Sequence, residues 1–210
     1  MFNKGITSAL LAIVIILAVS IMFNMRGPDL SPWLHLKDPA IRTMPPQRVL
    51  VVEAKGAPET VGKKAFGLLM KVYFGMKGVP KKGKSVPAPR ARWPQPASAP
   101  IAEWIGRYAM AVPDTIRDTS LPAAPEGMSL RLTTWEYGDV AEILYTGPYD
   151  KEDGAIRRLH EFIKSSGCEI AGEHEEEYLR GPGMFFKGNP EKYVTIIRYC
   201  IKKSKLEGKG

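Results

Sequence analysis

The first pattern along the chain is an unbroken apolar run, ITSALLAIVIILAVSIMF, at positions 6–23. Eighteen residues without a charge suit a helix through a bilayer, where every backbone polar group must be satisfied within the segment. A cleavable leader has a shorter apolar stretch and ends at a site of small residues, whereas Ile21, Met22 and Phe23 stand here before Asn24 and Met25. The expectation is an uncleaved single-pass anchor over 1–24. Only Lys4 precedes the span and Arg26 follows it. The short lead favours a cytoplasmic N-terminus and an extracytoplasmic (periplasmic) domain, with a cytoplasmic domain as the open alternative.

Prolines at 28, 32, 39, 45 and 46 make 25–46 a spacer that excludes a continuing helix or a central strand. RVLVVEA (48–54) reads as a buried strand, rich in β-branched residues. Between Glu59 and Phe74, Val61, Ala65, Leu68, Leu69 and Val72 recur at helical spacing, and Gly75 ends the pattern. Residues 77–100 mix Gly, Pro, Lys and Arg without periodicity and predict a long basic loop without fixed structure. Alternation returns at 101–112, where Trp104, Gly106, Tyr108 and Met110 share one strand face. Residues 130–147 predict two strands with a turn near Tyr137, Gly138 and Asp139. A second amphipathic helix is expected over 150–166, then a strand pair at 173–179 and 193–201.

The stretches VLVVEAKGAPE (49–59) and VAEILYTGPYD (140–150) each read strand, glycine turn, acid, helix, with Gly56 and Gly147 separated by 91 positions. The same shift lays Ala65, Leu68 and Val72 on Ile156, Leu159 and Ile163. The predicted fold is therefore α+β: two pseudo-repeated βαββ units over 47–203, forming one antiparallel-rich sheet with two helices on one face and a ligand groove on the other.

Composition adds little to this. Hydrophobic residues at 44% and charged residues at 25% fit a folded domain. The net charge of +8 comes from 77–92 and from the end of the chain, including the tail 204–210, so no folded basic face and no nucleic-acid partner is expected. Those regions would sit in solvent or against anionic lipid. Cys168 and Cys200 have no metal-ligand spacing and either pair or stay reduced as small buried hydrophobes.

The clearest local chemistry is GEHEEEYL (172–179). On a strand, His174, Glu176 and Tyr178 point one way and Glu173, Glu175 and Glu177 the other, so one set lines the groove and the rest is surface charge. Glu176 beside Tyr178, facing Trp104 and Tyr108, is the arrangement that holds a hydrophobic cation. Tyr149, just past the Gly147-Pro148 turn, sits at the mouth, and Trp135 and Tyr145 are weaker members of the same aromatic set. His174 and Glu176 lack a third ligand, so no metal is assigned. No nucleophile motif is present, so neither a catalytic residue nor a cofactor is assigned.

The residues GDVAEILYTGPYDKEDGAIRRLHEFIKSSG (138–167), EEEYLRGP (175–182) and YVTIIRYCI (193–201) resemble the second half of a GyrI-like domain of the gyrase-inhibitor and effector-binding superfamily. PPQRVLVVEAKGAPETVGKKAFGLLMKVYFG (45–75) is similar to its opening strand and helix. The resemblance implies that Glu176, in the E-x-Y element ending at Tyr178, lies at the base of a ligand cavity. It departs at Thr195-Ile196-Ile197, where many members carry an acid after the threonine, and no helix-turn-helix partner is present. The expected function is a membrane-anchored binding domain for hydrophobic, cationic small molecules. The alternatives are a hydrolase of electrophilic cyclopropane-bearing compounds with Glu176 as general base, and a membrane-displayed module for an unidentified protein partner.

Overall fold

The computed structural model describes residues 28–95, 99–116, 120–182 and 188–204. The anchor expected at 1–24 and the tail from 205 onward lie outside the described residues, and among those described no helix is long and apolar enough to cross a membrane. All that follows concerns the unit Ser31–Gly210.

The architecture is α+β, a nine-stranded antiparallel sheet with two α-helices among the described residues. In chain order the elements are β1 (Ala40–Met44), β2 (Gln47–Lys55), α1 (Pro58–Gly75), β3 (Arg90–Trp93), β4 (Ile105–Ala111), β5 (Met128–Trp135), β6 (Gly138–Thr146), α2 (Asp153–Ser165), β7 (Cys168–Ile170), β8 (His174–Arg180) and β9 (Val194–Lys203). The strands run β1-β6-β9-β8-β3-β4-β2-β5, with β7 on β9. Within this order β2-β4-β3 meets β8-β9-β6 as its mirror, so β2-α1-β3-β4 and β6-α2-β8-β9 are laid out alike about the β3–β8 seam. Each unit turns from strand to helix at a glycine with left-handed φ, Gly56 (132°) and Gly147 (148°), a conformation other residues adopt only under strain.

Two expectations change here. Residues 77–100 are not a structureless loop: β3 lies inside them and occupies the centre of the sheet between β8 and β4. Its Arg-Ala-Arg-Trp sequence looked soluble because the arginines find acids that are remote in sequence. The spacer likewise contributes β1, an edge strand on β6, which the prolines permit because they flank it rather than interrupt it.

The helices share one face. Across the sheet, Val52, Tyr108, Ala91, Glu176, Ile197 and Ile143 are successive register partners and so point to the same side. Leu69 and Tyr73 of α1 pack there with Leu50, Val52 and Met110, and Leu159 and Ile163 of α2 with Ala141, Ile143 and Ile197. The acid expected in a groove opposite the helices is therefore on the helix side, at the seam between them. That is a correction to the predicted layout: the opposite face holds no candidate residue other than Trp135.

That opposite face is filled by charge. Register partners Glu53, Arg107, Arg92, Glu175, Arg198 and Glu142 form a row across six strands, with Arg90 and Glu177 beside it. Arg198 is 1% exposed, Glu142 0% and Glu175 2%. Arg198 pairs with Glu142, with Glu175, and at 2.9 Å with Glu177, while Arg92 donates to Glu175 at 2.7 Å. The Tyr137 hydroxyl accepts from Arg90 and donates to Glu175, both at 3.0 Å. The Arg92 guanidinium lies 4.0 Å from the Trp135 ring centre.

Water is kept out because the sheet closes. The ladder of β1 with β6 continues without a register break into that of β2 with β5, from Ala40↔Glu142 to Ala54↔Met128. Two long bent strands thus join the ends of the path through β4, β3, β8 and β9. The region around Tyr137 is a bend between β5 and β6 and not a hairpin, since those two strands do not pair with each other.

Burial alone would raise the Glu142 carboxyl, but its bonds and charge pairing with Arg42 and Arg198 hold it below the usual carboxylate value. The same competition, with Arg198 and Arg92 as the main cations, lowers Glu175. A depressed folded-state pKa contributes stability above the unfolded value near 4.5 and loses it as pH falls through the folded one. The unfolding free energy measured in urea should therefore fall as the pH drops below about 4.5, by up to about 1.4 kcal/mol per pH unit for each such carboxylate. A flat profile in that window would mean that the acids are not paired in solution.

Candidate functional site

The alternation of β8 sends His174, Glu176 and Tyr178 to the helix side. Glu176 is 7% exposed, yet it is not held in the ionic row. Its Oε1 accepts from the Trp93 indole at 2.7 Å and lies 3.2 Å from His174 Nε2. Burial would raise this carboxyl, but hydrogen bonding and charge from His174, then hydrogen bonds from Tyr178 and Trp93, hold it below the usual value, so it is an anion at neutral pH.

Rings enclose it. Trp93 lies 5.7 Å from Trp104 and 5.8 Å edge-on to Tyr108, ring centre to ring centre. Phe66 of α1 bridges Tyr108 at 4.8 Å and Tyr178 at 5.6 Å. Tyr178 meets Tyr149 at 5.4 Å, and Tyr149 meets Tyr193 at 5.1 Å. The chain of rings thus draws on both repeat units. Burial, followed by the charges of Glu176 and Glu59, pushes the Tyr108 phenol up to about 12, and its buried oxygen has no hydrogen-bond partner among the described residues.

A second carboxylate stands beside the first. Glu152, the residue before α2, places Oε1 3.8 Å from His174 Nε2, while His174 Nδ1 bonds the Tyr199 hydroxyl at 2.7 Å. Burial first, and then the charges of Glu176 and Asp153, push the Glu152 carboxyl up to about 9, so it is neutral where Glu176 is charged.

All six predicted site residues, Glu176, Tyr178, Trp104, Tyr108, Tyr149 and His174, therefore fall in one neighbourhood. Trp135 does not: it lies beneath Arg92 on the opposite face. Tyr145 donates to the Pro148 carbonyl at 2.8 Å and packs with the α2 core. Sequence reading missed Trp93, Glu152, Phe66, Tyr193 and Tyr199. Trp93 was hidden in the supposed loop, and the others reach the site only through the fold. Glu173, Glu175 and Glu177 were read as solvated charge, but the last two are buried among arginines, and Glu173 pairs with Arg107.

The acid is closed in as it stands. A shallow depression of about 250 Å³ lies elsewhere, bordered by Glu53, Ile105 and Met128, and contains none of the residues above. Cys168 and Cys200 are free thiols away from this cluster.

No protein-family model and no curated protein matches this chain. Solved structures do. A conserved protein of unknown function from Listeria innocua aligns with a TM-score of 0.63 at 22% identity, over 79% of this chain and 93% of that one. A hydrolase from Listeria innocua aligns at 0.60 and 17%, over 83% and 96%. The C-terminal domain of EcmrR aligns at 0.55 and 14%, over 79% and 98%. At these identities the likeness speaks for the fold alone.

Proposed function

We propose that this chain is a binding domain for hydrophobic, cationic small molecules, held at a membrane by the apolar segment 6–23 with the domain on its extracytoplasmic side. One observation carries the binding reading: a buried carboxylate that accepts from the Trp93 indole lies among the rings of Trp93, Tyr108, Tyr149 and Tyr178 at the seam of the two units. Buried charge is costly unless matched, and a cation bearing apolar groups matches both the acid and the ring faces, each ring adding about 0.5–2 kcal/mol. The Glu173, Glu175 and Glu177 face offers no such site, because its arginines already neutralise its acids. The sequence resemblance to GyrI-like effector-binding domains supports small-molecule binding in general.

The test is a titration of the full-length chain in detergent with a hydrophobic cation, repeated with Glu176→Gln. Affinity should fall at least tenfold in the variant, a loss of about 1.4 kcal/mol. Equal affinity in both proteins would end the reading.

A hydrolase reading has one geometric point in its favour. Glu152 and Glu176 converge on the same His174 nitrogen, which is the layout of an acid and a base acting on one ligand. Turnover of a cyclopropane-bearing electrophile, lost in Glu176→Gln, would favour it over simple binding.

A further inference from the structure

We propose that Glu152, His174 and Glu176 together form a binding site for a divalent transition-metal ion of the zinc class. The three residues come from the lead into α2 and from β8, and their ligand atoms all lie within 4.8 Å of one another. Only two of them are neighbours in sequence.

Distances set the kind of ion. Zinc bonded to nitrogen and oxygen at roughly 2.0–2.1 Å in a tetrahedron needs donor atoms about 3.4 Å apart. His174 Nε2 lies 3.2 Å from Glu176 Oε1 and 3.8 Å from Glu152 Oε1, on either side of that spacing. The His174 edges of the site therefore need to move by only a few tenths of an ångström to receive an ion, and the two carboxylates lie within 4.8 Å of each other. Calcium prefers six to eight oxygen donors at 2.3–2.6 Å and would find too few here.

Two further features point the same way. The Tyr199 hydroxyl engages His174 Nδ1 at 2.7 Å, and an ion that displaces the Nε2 proton now shared with Glu176 would find Nδ1 already held by that hydroxyl. That outer hydrogen bond is the usual device for orienting a metal-binding imidazole. Glu152 Oε2 is buried and has no hydrogen-bond partner among the described residues. Once an ion displaces the proton that Glu152 holds, two carboxylates and one neutral imidazole balance its two positive charges. Three protein ligands leave a fourth position for water or a ligand donor.

The inference shares Glu176 with the binding reading but does not depend on it, because ion binding is read with no organic ligand present. The full-length chain in detergent is freed of metal with chelator, then titrated with Zn²⁺ by calorimetry and with Co²⁺ by visible absorption. The expected result is one site, with the Co²⁺ bands of a four-coordinate ion. Binding should be lost in His174→Ala, weakened at least tenfold in Glu152→Gln, and unchanged in His35→Ala and in Cys168→Ser/Cys200→Ser. Tyr199→Phe, which keeps the ring, should weaken the ion about 10- to 100-fold. No site in the wild type, or a site indifferent to Glu152→Gln, His174→Ala and Tyr199→Phe, overturns the proposal. Organic-cation binding measured in chelator reports separately on the reading above, so the two can fail independently.

Discussion

Replacing Arg198 with methionine should cost about 3–5 kcal/mol and leave the chain at or below the edge of folding. Arg198 is 1% exposed and is the shared partner of Glu142, Glu175 and Glu177, three acids drawn from two strands on either side of it. Methionine fills much the same volume, so the loss reports the stranded carboxylates and not a cavity. They can recover only by taking protons, which their other arginines, Arg42, Arg90 and Arg92, oppose. Urea unfolding of wild type and variant at pH 7 measures the difference. A loss under 1 kcal/mol would mean that water reaches this face and that the closed path of strands opens in solution.

The second large effect is at Trp93, where alanine should cost about 3–5 kcal/mol. A side chain in a spacer loop would change stability by no more than about 0.5 kcal/mol, so the experiment separates two accounts of residues 77–100. In the structure Trp93 closes β3, pairs in register with His174, packs in the α1 core with Tyr108 and Trp104, and donates to Glu176. Trp93→Phe keeps most of the packing and removes the indole donor. It should recover most of the stability while leaving Glu176 with one donor fewer, which ligand affinity would register.

Features set by local periodicity were legible in the sequence. Both helices, the 91-residue repeat and the placing of His174, Glu176 and Tyr178 on one strand face follow from spacing alone, because a helix or strand that buries one side must show it within a few residues. Features that depend on partners remote in the chain were not. Arg90 and Arg92 look solvated until Glu175 and Glu177 are placed beside them, and the reverse holds for those acids. Glu176 was put on the face opposite the helices for the same reason. A face of alternating charge reads as solvent-exposed, yet here opposite charges pair across strands and fill it. Glu152 shows the limit most clearly, since nothing in KEDGAI (151–156) marks an acid that ends 3.8 Å from a histidine on β8.

The central claim is that a charged carboxylate among aromatic rings selects for positive charge. The most direct measurement compares one shape with and without that charge: 3-hydroxyphenyl-trimethylammonium against 3-tert-butylphenol, titrated into the full-length wild-type chain at pH 7. The account predicts that the ammonium compound binds at least tenfold more tightly. Equal binding, or preference for the neutral compound, would contradict it.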